Sequence, residues 1–339
     1  MAKQDDIFLN TQRNRLFSQA KNLSSVSTSK ASPMPLSQTL NKPKTILAIG
    51  GGKGGIGKTV LVSNLAVYLT WLNKKVVVVD MDLGGANLHT SLGVDPSSHT
   101  LGDYLSHRVN SLSDLLLDTP IQNLSLISGA NDPLGIANQT YEQKAKLLSD
   151  FYALDADFIL LDLGAGTATN TLDFFLLADQ KIILVTPEPT SIENAYRFIK
   201  AAVYRMLVSA CPSDSFRQAL EQMITQQTTR EIKTPKELLF QLQSEKNQDS
   251  EMLTELINQF HLFLVVNQVR VQTEVDIGQS IQMICERYFG VRVSYIGYLP
   301  FDNVVWQSVK RRLPFLVHSP SSTITTQLGE IWRNLMKAK

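Results

Sequence analysis

The residues best equipped for chemistry lie in one short stretch, AIGGGKGGIGKTV at 48–60. Within it, Gly52, Lys53, Gly54, Gly55, Ile56, Gly57, Lys58 and Thr59 match the spacing G-x-x-x-x-G-K-[S/T], the signature of a loop that wraps phosphate groups. Glycines here let main-chain N–H groups turn toward phosphate oxygens with no Cβ in the way. The helix expected to follow adds the partial positive charge of its first turn. Lys58 is placed to hold the β- and γ-phosphates of a nucleotide, and the Thr59 hydroxyl to ligate Mg²⁺. Lys53 has no such task, because Lys58 and the loop amides already neutralise those phosphates. It is either a solvent-exposed loop lysine or a cation that serves a nucleotide other than the loop's own.

A nucleotide-bound metal needs a carboxylate, and three aspartates close apolar runs. In FILLDLGAG (158–166), Asp162 ends a run at what should be the carboxyl edge of a sheet, where ligands collect. Its expected role is to hold Mg²⁺; the alternative is a helix N-cap. Gly164 and Gly166 suit a loop that senses the γ-phosphate. In VVVVDMDLGGANL (76–88), Asp80 and Asp82 stand two apart. One can assist the metal while the other orients an attacking water, or one can simply cap the following turn.

The elements that position these groups are legible as alternating runs. TILAI (45–49), VVVV (76–79), LSLI (124–127), FILL (158–161), IILV (182–185) and LFLVV (262–266) read as strands buried on both faces, with VSYIGYL (293–299) as a further one. Helical stretches lie between them, including TVLVSNLAVYLTWL (59–72) and YEQKAKLLSDFYA (141–153). After Pro189, Thr190 and Glu193 have capping-box spacing, and Ile192, Ala195, Tyr196, Ile199 and Val203 line one helical face. Alternating strands and helices imply an α/β fold: a single P-loop NTPase domain over 44–339, its mostly parallel sheet covered by helices on both sides. The gap between Val185 and Leu262 is too long for one crossover, so a helical insertion at about 210–258 is expected on the surface. Residues 1–43 are rich in Ser, Thr and Pro, and within 1–44 seven Lys and Arg face only Asp5 and Asp6. They read as a disordered tail or as an arm that orders on a partner, with DDIFLNTQRNRLFSQAKNL as its helix-forming part.

Bulk properties exclude several classes. The 339 residues carry a formal net charge of +1 and are 43% hydrophobic, which argues against coating nucleic acid or anionic lipid as the main task. No apolar run approaches the roughly 18 residues of a membrane span, and no secretory leader is evident, so a cytoplasmic location is expected. Cys211 and Cys285 have no metal-ligand spacing and read as small hydrophobes.

The loop KGGIGKT resembles the deviant Walker A motif of the MinD/ParA superfamily, and VVVVDMDLGGANL and LLDLGAG resemble its two switch segments. The likeness extends from Thr45 to Lys339, and DMDLGGANLHTSLG is most similar to the MinD-like branch that includes FlhG/FleN. The resemblance implies an ATP-bound homodimer in which Lys53 reaches the partner's phosphates, with ATP and Mg²⁺ as cofactors. It implies that Asp82 positions the water, supported by Asp80 near the metal. By similarity to VVNQVR and IGYLPFDNVVWQSVKRRLPFL, Asn267 contacts adenine and Pro300 lies beside the base. Slow ATP hydrolysis, stimulated by an activating or cargo protein, would then position or count a cellular structure, as in flagellar or polar placement. The expected platform is a pole or the inner membrane face.

The sequence also departs from that pattern. The final helix TITTQLGEIWRNLMKAK aligns with the fold's own last helix. Its face of Ile324, Leu328, Ile331, Trp332, Leu335 and Met336 reads as core packing, with membrane contact by Trp332, Arg333 and Lys337 as the alternative. His89 stands where MinD-like relatives usually have an aspartate, and the FlhG activating motif is not recognisable in 1–43. Iron–sulfur relatives need cysteines near the switch segments or a C-x-x-C, and related tyrosine kinases need a terminal tyrosine cluster; neither pattern is present. A ParA-like DNA-partitioning ATPase, with ATP-dependent binding to arbitrary duplex DNA, is the alternative function, and Lys310–Arg312 would be its candidate basic patch.

Overall fold

Runs of β-branched and aliphatic residues have no polar face, so they are stable only where both sides are covered. The computed structural model, which describes residues 44–82, 85, 87–129, 141–210, 217–218, 221, 236–237 and 248–338, meets that demand with a central sheet. Its strands are β1 (Thr45–Gly50), β2 (Val76–Met81), β3 (Leu116–Asp118), β4 (Leu124–Ile127), β5 (Phe158–Leu163), β6 (Gln180–Val185), β7 (His261–Val269) and β8 (Arg292–Pro300). They lie in the order β3-β4-β2-β5-β1-β6-β7-β8. Every neighbouring pair is parallel except β3 and β4. The helices are α1 (Lys58–Trp71), α2 (Leu88–Ser91), α3 (Leu101–Leu105), α4 (Tyr141–Ala153), α5 (Thr169–Leu177), α6 (Pro189–Ala210), α7 (Gln248–Gln259), α8 (Gln272–Val275), α9 (Ile277–Ile284), α10 (Asn303–Lys310), α11 (Phe315–His318) and α12 (Thr323–Lys337). Among the described residues no helix is long and apolar enough to cross a membrane.

The two-residue period of the strands divides the core. Ile46, Ala48, Val77, Val79, Ile159, Leu161, Ile183 and Val185 face one layer, built on α3 to α7 and α9. Leu47, Ile49, Val76, Val78, Leu160, Ile182 and Leu184 face the other, built on α1, α11 and α12. The carboxyl end of β1 shows how tightly the first layer closes. A Cβ on Gly50 would stand 2.9 Å from the Phe198 ring and 3.0 Å from Phe175. Those two rings meet edge to face at 5.0 Å and weld α5 to α6 above the strand.

Three expectations change. The antiparallel edge strand β3 has only three residues, too few to show an alternating pattern. The expected insertion at about 210–258 is not surface throughout. Leu253, Leu256 and Ile257 of α7 are buried in the first core layer, because helix α7 turns its apolar stripe onto the sheet. The rest of that segment lies mostly outside the described residues, as do the tail 1–43 and Cys211. At the start of α6 the anticipated capping box gives way to another arrangement. Pro189 takes the first helical position, which needs no donor, and the Glu188 carbonyl accepts from the Ser191 and Ile192 N–H groups at 2.9 and 3.1 Å. Glu193 instead pairs with Arg197 at 2.6 Å.

Cys285 is buried among hydrophobic residues, and burial pushes its thiol up to about 12, as suits an inert core residue. On α12, Ile324, Leu328, Ile331 and Leu335 are fully buried, and Trp332 packs edge to face on Phe158 at 5.5 Å. The apolar face therefore closes the second core layer and takes Trp332 with it; of its six residues Met336 alone is exposed, while Arg333 and Lys337 stay at the surface. Trp332→Ala should lower unfolding free energy by about 3–5 kcal/mol in chemical denaturation without lipid. A loss below about 1 kcal/mol would show that the indole is not a core group.

Candidate nucleotide and metal site

The G-x-x-x-x-G-K-T loop joins β1 to α1, so it sits at the carboxyl edge of the strand flanked by β5 and β6. Gly57 is the residue before the helix, with φ 94°, a left-handed conformation that glycine adopts without strain. It supplies no side-chain cap, and α1 has no acid in its first turn. The first helical N–H groups are therefore left for an anion. Lys58 is buried, and its Nζ reaches back to the Lys53 carbonyl at 3.5 Å. Burial lowers its pKa, while the charges of Asp162 and Asp82 act in the opposite direction.

The three aspartates meet below this loop. Asp80 and Asp162 are register partners on β2 and β5. Asp162 accepts a hydrogen bond from the Thr59 side chain, and its Oδ1 is buried with no partner. Burial pushes Asp162 up to about 7, with the Asp80 charge adding to the rise. Asp80 is pushed up to about 6, again chiefly by burial, although it accepts from the N–H groups of Asp82 at 3.1 Å and Leu88 at 3.0 Å. Asp80 thus braces the segment leading to α2, and its bond to Asp82 N–H fixes where that residue leaves the strand. A Cβ on Gly164 would stand 3.1 Å from Asp82 Oδ1, so the glycine leaves room for the Asp82 carboxylate. The Gly166 N–H bonds the Gly51 carbonyl at 3.3 Å and ties the second loop to the first.

These donors fit Mg²⁺. The orphaned Asp162 oxygen and the Thr59 hydroxyl are hard oxygen ligands side by side, in a pocket where the charges of Asp80, Asp82 and Asp162 gather around the one Lys58 ammonium. Among the described residues no cluster of three or more His, Cys, Asp or Glu forms a complete cage.

The remaining expected residues converge on the same edge. Asn267, near the end of β7, donates from Nδ2 to the Ile56 carbonyl at 2.7 Å and accepts the Gln268 N–H on Oδ1 at 2.9 Å. A Cβ at Gly57 would lie 2.5 Å from that Nδ2. The amide expected beside adenine is thus also the brace that holds the phosphate loop to β7. Pro300 ends β8 opposite Val269, and the next residue, Phe301, lies under the Arg270 guanidinium at 3.7 Å. Lys53 points away from Lys58: its Nζ contacts Glu188 Oε2 at 2.5 Å and Thr190 Oγ1 at 3.2 Å, at the start of α6. Sequence reasoning missed Glu188 and the bracing role of Asn267. The only available signal for Glu188 was the Pro-Glu-Pro run before a strong helix.

Two outcomes are expected. Raised carboxyls make the nucleotide-free fold bind more protons than the unfolded chain, so its stability falls from about pH 4 to about pH 7 and then levels. Asp162→Asn should flatten that fall in thermal melts between about pH 5 and pH 8 and abolish the extra stabilisation by Mg²⁺ with nucleotide. An unchanged pH slope would rule out Asp162 as its source. Asn267→Ala should weaken binding of base-free tripolyphosphate about three- to tenfold, the effect of one lost buried hydrogen bond. Unchanged tripolyphosphate affinity with weakened ATP would confine Asn267 to the base.

Residues 47–315 match the model of the CobQ/CobB/MinD/ParA nucleotide binding domain. The antiactivator FleN of Pseudomonas aeruginosa is 34% identical over 160 residues, covering 47% of this chain and 56% of FleN. The septum site-determining protein MinD of Helicobacter pylori is 32% identical over 155 residues, covering 45% and 57%. The chain thus spans little more than half the length of these relatives. The septum site-determining protein MinD from Pyrococcus horikoshii, solved with Mg-ADP, has the same fold, with TM-score 0.57 and 22% identity over 87% of this chain and 97% of that one. With the family match running from within β1 to α11, around every residue of the phosphate loop, the chain belongs to the CobQ/CobB/MinD/ParA nucleotide-binding family.

Proposed function

We propose that the protein is an ATP-dependent dimerising switch of the MinD/FlhG type, which hydrolyses ATP to position or count a cellular structure. One observation carries the reading. The phosphate loop holds two lysines, and only Lys58 is directed across its own loop, while Lys53 turns outward to the start of α6. A cation aimed out of a complete phosphate cradle is useful to a second copy's nucleotide. Partial identity to FleN and MinD supports the placement role, and a cargo or activating protein supplies the direction. The protein is taken to act in the cytoplasm, recruited to a pole or the inner membrane face.

ATP is the substrate. A water oxygen attacks the γ-phosphorus, the bond to the β–γ bridging oxygen breaks, and ADP and phosphate leave. Lys58 holds the β- and γ-phosphates, and Asp82 orients the water from a position fixed by Asp80. Thr59 and Asp162, with Asp80 beside them, would hold Mg²⁺, which would offset charge on the phosphate oxygens. Lys53 of the second copy neutralises charge as the bond breaks, so turnover waits for dimerisation. Asn267 and Pro300 flank the adenine.

The DNA-partitioning reading has weaker support. Lys310 lies over the Trp306 ring at 4.2 Å, Arg311 meets His318 at 3.2 Å, and Arg312 donates to the Val94 carbonyl at 2.8 Å. Each cation of that short run is engaged within the chain.

Light scattering with and without Mg-ATP tests the proposal. Wild type and Asp82→Ala should double in mass with ATP, Lys53→Ala should not, and Lys53→Ala should turn over at least about 10²-fold more slowly. A mass that never responds to ATP would reduce the protein to a static nucleotide-binding module. Salt-sensitive, ATP-dependent binding to random duplex DNA would favour the partitioning role.

A further inference from the structure

The contact that Lys53 makes without nucleotide is itself informative. Gly52 packs so closely on α6 that a Cβ there would stand 2.1 Å from the Asn194 carbonyl oxygen. The next residue, Lys53, is thereby delivered to the first turn of a 22-residue helix. That end of a helix carries partial positive charge and repels an ammonium group. Lys53 remains there because the Glu188 carboxylate, immediately before Pro189, meets it at 2.5 Å, and the Thr190 hydroxyl adds a second acceptor at 3.2 Å. The pair spans 135 residues of sequence and is partly open to water, with 36% of the Lys53 side chain and 58% of the Glu188 side chain exposed.

We infer that Glu188 is a positioning residue that stores Lys53 in cis and so sets how much ATP is needed before the second lysine is released to a partner subunit. This rests on the reading of Lys53 as a cation supplied in trans. An exposed ion pair is a modest attraction, so it biases the lysine and does not lock it. A partner's triphosphate, carrying several negative charges, outcompetes one carboxylate. Without the Glu188 charge, the α6 dipole expels Lys53 from its resting place. Glu188 is thus a threshold device, separate from the residues that touch phosphate on the subunit's own side of the site.

The test uses the full-length protein and two readouts. Brief acetylation of nucleotide-free protein, quantified at Lys53 by mass spectrometry against the other lysines, reports the cis contact. Light scattering over an ATP titration reports the threshold. Glu188→Gln should raise Lys53 labelling, and it should lower the ATP needed for half-maximal dimer about two- to fivefold, the range for an exposed pair. Glu188→Asp, which keeps the charge, should stay nearer wild type on both. Unchanged labelling in Glu188→Gln overturns the storage contact. Raised labelling with a higher ATP requirement overturns the threshold role and makes Glu188 a helper of the assembled dimer. Raised labelling with no ATP-dependent mass change in any variant, wild type included, overturns the dimerising switch and the threshold with it, while the cis contact stands.

Discussion

Two carboxylates held out of water on adjacent strands are the constraint around which this molecule is built. Asp80 and Asp162 are register partners at the carboxyl edge of the sheet, and both are almost fully buried. Burial disfavours their charge; the Asp80 charge adds to the cost of ionising Asp162, and the Asp82 charge adds to that of Asp80. The fold offers partial relief: two main-chain N–H groups for Asp80, the Thr59 hydroxyl and the Lys58 ammonium for Asp162. What is left over is one buried oxygen without a partner, Oδ1 of the same Asp162 carboxylate that accepts from Thr59 of the phosphate loop. A divalent cation arriving with nucleotide would complete what the protein alone leaves unsatisfied, and ligand and fold would then stabilise each other.

The rest of the architecture keeps that edge in place. The phosphate loop is pinned from three sides by elements distant in the chain. Asn267 of β7 holds the Ile56 carbonyl, Gly166 after β5 holds Gly51, and the start of α6 lies against Gly52. Asn64, buried in α1, accepts from the Leu316 N–H at 3.0 Å and so fastens the helix behind the loop to α11. Glycine at 50, 52 and 57 is required by these close approaches as much as by phosphate binding, since a side chain at any of them would meet a ring, a carbonyl or the Asn267 amide. The loop is therefore pre-organised by its neighbours, which reduces the ordering that nucleotide must impose.

The same proximity explains why the two lysines of the loop behave differently. Lys58 begins α1 and is directed into the cradle, where the charges of Asp162 and Asp82 favour its ammonium form. Lys53 lies on the outer turn, against the positive end of α6, and depends on Glu188 to stay there. One is a structural cation of its own site. The other is held by a contact weak enough to exchange.

What the sequence determined by itself was everything encoded by neighbours along the chain. The G-x-x-x-x-G-K-T spacing, the apolar runs ending in Asp80 and Asp162, and the helix stripe of α12 are local patterns, and local patterns fix strand, loop and helix. From them came the parallel sheet, the phosphate loop and the two aspartates at the sheet's carboxyl edge. Only the tertiary structure decided where amphipathic or polar residues turned. The polar segment expected as surface insertion ends in α7, which packs on the core, because an apolar stripe in sequence does not say which layer will cover it. Asn267 and Ile56 are 211 residues apart and Lys53 and Glu188 are 135 apart, so neither bond leaves a periodic trace. Those contacts exist because β1, β6 and β7 lie side by side, an adjacency set by the packing of the whole sheet and by no single stretch of it.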